Sequence, residues 1–188
     1  MGKVGGSSPP GSTLKKSFMK KHPIQYLLVG LPYSGKTTLA KKLVKEYGFK
    51  HINIDELKWI AGYTKVGDDE VPDEVWEKIF NQADKLLIKY LNEGKNVVNE
   101  YAWITKEWRD RARRVASEAG FETKTIYLKT SREEIEKRWR ENNQSRARFH
   151  WPEKEFRQMF LDFEEPTMEE GVVIYSPDDH TTDLTSWF

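Results

Sequence analysis

The residues Gly30-Leu31-Pro32-Tyr33-Ser34-Gly35-Lys36-Thr37 have the types and spacing of a loop that cradles phosphate. Gly30 and Gly35 let backbone amides converge on phosphate oxygens, and the start of a following helix adds favourable partial charge. In such a loop Lys36 reaches the β- and γ-phosphates. The Thr37 hydroxyl takes Mg²⁺, which neutralises charge as a γ-phosphoryl group moves. Gly30 through Thr37, with Thr38 beside them, are the expected nucleotide-binding segment, with ATP as donor and Mg²⁺ as ion. A glycine-rich turn with an incidental lysine would have the same letters. The flanks argue against it, because a short apolar run precedes the motif and helical apolar spacing follows it.

Other residues have the chemistry to complete a phosphoryl-transfer site. Asp55 ends the second expected strand, on the edge where open parallel sheets hold ligands, and could take the proton of an acceptor hydroxyl. It also fits as the N-cap of a helix starting at Glu56, a role compatible with the first. Glu100 closes the third expected strand and could hold Mg²⁺ through water or orient the acceptor; a solvated strand-end glutamate would look the same. Arg138, Arg140, Arg146 and Arg148 surround the turn-like stretch Asn142-Asn143-Gln144-Ser145. They read as a mobile lid that stabilises the moving charge and excludes water, or else as an exposed helix face. Trp59, Tyr63, Tyr101 and Trp103 follow strands two and three and could wall an acceptor pocket or pack on one another. Trp76 and Trp108 fall within helix stripes as packing residues. The cluster Arg109, Arg111, Arg113, Arg114 reads most simply as a solvated helix face.

The elements that must position these residues alternate. Ile24 to Val29 reads as a strand, Lys36 to Tyr47 as a helix stopped by Gly48, and His51 to Ile54 as a second strand ending at Asp55. A long amphipathic helix is expected from about Pro72 to Asn92, a third strand over Lys95 to Asn99, and a helix capped by Thr105 that ends near Gly120. Thr123 to Leu128 reads as the fourth strand. Ser131 with Glu134 forms a candidate capping box, a helix restarts near Pro152, and Val172 to Tyr175 makes the fifth strand. This alternation predicts a three-layer α/β/α, nucleoside-kinase-like P-loop fold with a five-stranded parallel sheet and an arginine-bearing lid.

The 188 residues fit one domain over 22–176, with a Gly-, Ser- and Pro-rich leader over 1–21 and a polar tail over 177–188. A formal charge of +1 provides no overall field toward nucleic acid or anionic membrane, so partners must be recognised by local patches. The absence of cysteine excludes disulfides, thiolate metal sites and cysteine nucleophiles. No apolar run approaches the ~20 residues needed to span a bilayer, and cytoplasmic residence is the default expectation.

Together these segments resemble the small P-loop kinase group that includes bacteriophage-type polynucleotide 5′-kinases, chloramphenicol phosphotransferases and zeta-toxin-like kinases. The likeness spans about residues 24 to 175. It rests on the Gly30–Thr37 loop, Asn53-Ile54-Asp55-Glu56, Thr105-Lys106-Glu107-Trp108-Arg109, Lys137-Arg138 and Phe163-Glu164-Glu165-Pro166. The resemblance implies Asp55 as general base, Lys36 and Arg138 as γ-phosphate contacts, and Arg146 or Arg148 as a further lid contact. It also implies transfer to an acceptor hydroxyl, first a nucleic-acid 5′ end, alternatively a small molecule or nucleotide sugar; an ATP-binding switch with no acceptor is the non-enzyme alternative. Two departures stand out. Asn99-Glu100-Tyr101-Ala102-Trp103 replaces an Asp-x-Thr-Asn-like stretch, and Lys58 stands where polynucleotide kinases look to use an arginine for an acceptor phosphate.

Overall fold

The computed structural model describes residues 22–64, 66–147, 149–177 and 183–187; the expected leader and Arg148 lie outside them. β1 (Ile24–Val29) is buried along nearly its whole length, as an apolar run at the centre of a parallel sheet must be. β3 (Val97–Glu100) and then β2 (Lys50–Asn53) lie on one side of it, and β4 (Glu122–Leu128) and then β5 (Val172–Tyr175) on the other. Every pair is parallel, so each connection must cross over, and helices provide the crossovers.

Alternate residues of β1 serve two layers. Leu27 and Val29 pack with Ile79, Leu87 and Leu91 of α3 (Asp73–Asn92) and with Ala112 and Ala116 of α4 (Lys106–Glu118). Tyr26 and Leu28 pack with Leu39 and Leu43 of α1 (Lys36–Tyr47), joined by Leu184 and Trp187 from a 3₁₀ turn over Leu184–Trp187. The three-layer α/β/α sandwich and its five-stranded parallel sheet match the sequence-based expectation. A third cluster sets Ile135 of α5 (Arg132–Ser145) and Phe156 and Met159 of α6 (Glu153–Asp162) against Leu31 and Tyr33, so the lid has its own core on the phosphate loop.

Several boundaries move, each for a local reason. The second strand ends at Asn53, and Ile54 opens α2 (Ile54–Ile60) instead of closing the strand. Asn53 is the cap: its side-chain oxygen accepts from the amides of Asp55 (2.9 Å) and Glu56 (3.3 Å), which leaves the Asp55 carboxylate out of the capping role. The Asn142–Ser145 stretch is helical, and the chain breaks one residue later at Arg146, in the left-handed region at φ 49. Turn propensity loses there because Asn142 is buried and spends its amide on Tyr33 Oη and the Phe149 carbonyl. Ser131 accepts from the Glu134 amide, but the Glu134 carboxylate goes to Arg138, so only half of the capping box forms.

Arg109 corrects the solvated-face reading of its cluster. It is fully buried, with Nε and Nη2 on the Glu170 carboxylate (2.7 and 3.0 Å) and Nη1 on the carbonyls of Trp103, Ile104 and Glu164. Charge and donors are both satisfied, which is the condition for burying a guanidinium. Trp103 is likewise core, 1 % exposed at φ 48, and forms no part of an acceptor wall.

Candidate active site

The loop after β1 is shaped by close approach. A Cβ at Gly30 would sit 2.8 Å from Ser34 Oγ and 3.2 Å from the Leu128 carbonyl, so a side chain there would force Ser34 or the end of β4 to shift. Gly35 turns the chain into α1 at φ 102, beside the Arg138 guanidinium. The Ser34 amide bonds back to the Leu31 carbonyl at 3.1 Å, and Thr130 Oγ1 donates to the Ser34 carbonyl at 2.9 Å, which ties the loop to the end of β4. Lys36 Nζ lies within the curl, donating to the carbonyls of Gly30 (2.7 Å) and Leu31 (3.0 Å). The buried Ser34 Oγ has no hydrogen-bond partner among the described residues. An orphaned hydroxyl, an ammonium and a helix N-terminus around one curl fit a polyphosphate.

Thr37, in the first turn of α1, reaches across to β3: its Oγ1 donates to Glu100 Oε1 at 2.5 Å. Glu100 Oε2 lies 2.8 Å from His51 Nε2 on β2. Burial pushes the Glu100 pKa upward, but the bonds from His51 and Thr37 and the Lys36 charge outweigh it, and the carboxyl is held below its ordinary value. An ionised carboxylate beside a hydroxyl is the hard oxygen set that Mg²⁺ prefers when phosphates supply its remaining ligands. Sequence reasoning missed His51, since nothing in its strand context marks a partner 49 residues away.

Asp55 stands in the first turn of α2 and lines the same cleft of about 700 Å³ as Lys36, Thr37, Glu100 and Arg138. Its carboxylate has no hydrogen-bond partner among the described residues. Asp55 is exposed at the cleft mouth by surface area, while the protein packed around that mouth still desolvates its carboxylate. That desolvation first, and the Asp68 carboxylate second, raise its pKa to about 6 against the opposing pull of Lys36 and Lys58.

Beyond Asp55, Lys58 is buried and donates to the Val66 carbonyl at 2.9 Å and to Asp68 Oδ1 at 2.7 Å. The second Asp68 oxygen accepts from Tyr101 Oη at 3.0 Å, and the Asp68 carbonyl accepts from Trp76 Nε1 at 3.1 Å. Trp59 and Tyr101 line this end of the cleft and Tyr63 does not, while the Tyr101 ring also packs on Trp76, Phe80, Trp103 and Trp108, as the alternative expectation of mutual aromatic packing has it. Asp68 was not singled out from the sequence, because its loop carries no motif.

On the lid side, Arg138 donates to the Tyr33 carbonyl (3.1 Å) and to Glu134 (2.8 Å), which holds it against the phosphate loop. Tyr33 Oη donates to the Phe149 carbonyl at 3.3 Å, so loop and lid are joined at a second point. Phe149 and Trp151 complete the cleft. Arg146 folds back on Asn143 and does not line the cleft, and Arg140 pairs with Glu136 on an exposed face.

A phosphate loop at the carboxyl edge of a parallel sheet ordered β2-β3-β1-β4-β5 defines a kinase-like P-loop fold. The model of a family described as an AAA domain matches residues 26–166, and the chain belongs to that family. Cytidylate kinase of Pyrococcus horikoshii is 30% identical to it over 65% of this chain and 71% of the relative. Among solved structures, a putative kinase from Chloroflexus aurantiacus superposes with a TM-score of 0.68 at 16% identity, covering 88% of this chain and 92% of its own. A chain of the Pnkp1/Rnl/Hen1 RNA repair complex superposes at 0.63 and 20% identity, over 75% of this chain and 44% of its own. At such identities the likeness to these structures is one of fold. Among the described residues no helix is long and apolar enough to cross a membrane.

Proposed function

We propose that the chain is an ATP-dependent kinase that moves the γ-phosphoryl group to a hydroxyl of an acceptor. The observation that carries this reading is Asp55: an unpartnered carboxylate with a pKa of about 6, in one cleft with Lys36 and Thr37.

The acceptor oxygen bonds to the γ-phosphorus as the bond from that phosphorus to the β,γ-bridging oxygen breaks, and ADP leaves with the electron pair. The acceptor proton passes to Asp55. Lys36 and Arg138 offset the charge on the moving group, and the lid aromatics Phe149 and Trp151 exclude water that would otherwise compete as acceptor. Thr37 and Glu100 would hold Mg²⁺, which when bound neutralises the β- and γ-phosphates.

Two acceptor classes fit this chemistry. The motif resemblance favours a polynucleotide 5′-hydroxyl; the aromatic wall of Trp59 and Tyr101 supports a small molecule or nucleotide sugar. Labelled γ-phosphate transfer from ATP to 5′-hydroxyl oligonucleotides, to cytidylate and to small alcohols separates them. Affinity that falls steeply with salt marks the nucleic-acid acceptor. Undiminished transfer by Asp55→Asn would sink the base assignment, and tight ATP binding with no product from any acceptor would favour a switch.

A further inference from the structure

The acceptor class turns on Lys58. A lysine beside the base is the group an acceptor phosphate would seek, but the ammonium is already spent. Lys58 is 5 % exposed, its Nζ is held by the Val66 carbonyl and by Asp68, and it lies 5.8 Å from the Trp76 ring centre. Asp68 is pinned in turn through Tyr101 Oη on its other oxygen and through Trp76 Nε1 on its carbonyl. Drawing Lys58 toward an anion would break two bonds of a buried ammonium and strip Asp68 of its counter-charge; the Asp68 side chain is 37% exposed, so water offsets part of that second cost.

The charges supplied from this side have the same sense. Of the described cleft residues on α2, on the segment after it and at the end of β3, Asp55, Glu56, Asp68 and Glu100 stand against Lys58 alone. Among the described residues the remaining cations of the cleft belong to the donor elements, Lys36, Lys41 and Lys42 on α1 and Arg138 on α5. We propose that the acceptor carries no phosphate near its reacting hydroxyl: it is an uncharged or cationic alcohol whose flat or apolar face lies on Trp59 and Tyr101. Asp68 is the specificity-determining residue, because it withholds Lys58 from anions. This inference rests on the kinase reading, which puts the acceptor beside Asp55.

The test uses acceptors matched in all but phosphate. Transfer of labelled phosphate is measured to a nucleoside and to its 3′-phosphate, which share one 5′-hydroxyl, and to an amino diol and its monophosphate ester, each of which keeps a free hydroxyl. The wild-type chain is expected to use the phosphate-free member of each pair at least as well. Asp68→Asn keeps an acceptor for Tyr101 while releasing Lys58, and it is expected to shift each ratio about tenfold or more toward the phosphorylated member, the value of one charge-assisted hydrogen bond.

A wild-type preference of tenfold or more for the 3′-phosphate, for an oligonucleotide or for cytidylate overturns the inference, and that half of the comparison does not depend on the variant folding. An unchanged ratio in a folded variant overturns it as well. Calorimetric titration of inorganic phosphate into ADP-saturated protein separates this failure from failure of the kinase reading. If no alcohol is phosphorylated but Asp68→Asn binds phosphate tenfold tighter than wild type, the withholding of Lys58 stands and the transfer reaction falls.

Discussion

Between Gly30 and Thr38 most of the contacts that shape the site end on main-chain carbonyls, as when Lys36 Nζ rests on those of Gly30 and Leu31 and Arg138 on that of Tyr33. Around Asp55 the contacts run between side chains instead, with the Asp68 carboxylate taking both Lys58 Nζ and Tyr101 Oη. A backbone-built site binds what all its users share, the polyphosphate. A side-chain-built site can be re-specified one residue at a time without disturbing the sheet. The two ends of the cleft should therefore fail separately when mutated.

Lys36→Met removes the donor-end cation and should cost about 10³-fold in turnover, with circular dichroism unchanged. Next, Asp55→Asn should lower turnover about 10²-fold or more while leaving calorimetric ATP affinity near wild type. A loss of ATP affinity as large as the loss of turnover would merge the two ends. The pH profile comes third. The Asp55 pKa is raised to about 6, so the carboxyl is protonated below that pH and cannot accept a proton. kcat/KM should then fall about tenfold for each pH unit below about 6, and the Asn variant should lose that limb. Trp59→Ala should raise the acceptor KM roughly tenfold and leave the ATP KM alone. Tyr33→Phe, which removes the donor to the Phe149 carbonyl, should do the reverse on a smaller scale, raising the ATP KM about fivefold.

The fold was legible because its signals are local and redundant. The β1 apolar run, the Gly48 stop of α1 and the Thr105 cap of α4 each declare an element within a few residues. The phosphate loop was legible for the same reason. What escaped depends on long-range pairing. Asn142 reads as a turn residue until Tyr33 and Phe149 take up its amide, and Arg109 reads as solvated until Glu170 arrives from the far end of the chain. His51 and Asp68 carry no motif, and only the sheet register and a 3₁₀ turn bring them to Glu100 and Lys58.

The buried Arg109 clasp has a bearing on the order of events during synthesis. Arg109 holds the carbonyls of Trp103 and Ile104, close after Glu100 and Tyr101, but its counter-charge lies 61 residues downstream. As the chain emerges from its N-terminus, the phosphate loop and β3 are complete long before that carboxylate exists, and the guanidinium must wait in water. A nascent chain stalled before Glu170 should bind nucleotide before it can set Tyr101 and Asp68 in place, so phosphate binding is acquired first and acceptor choice last.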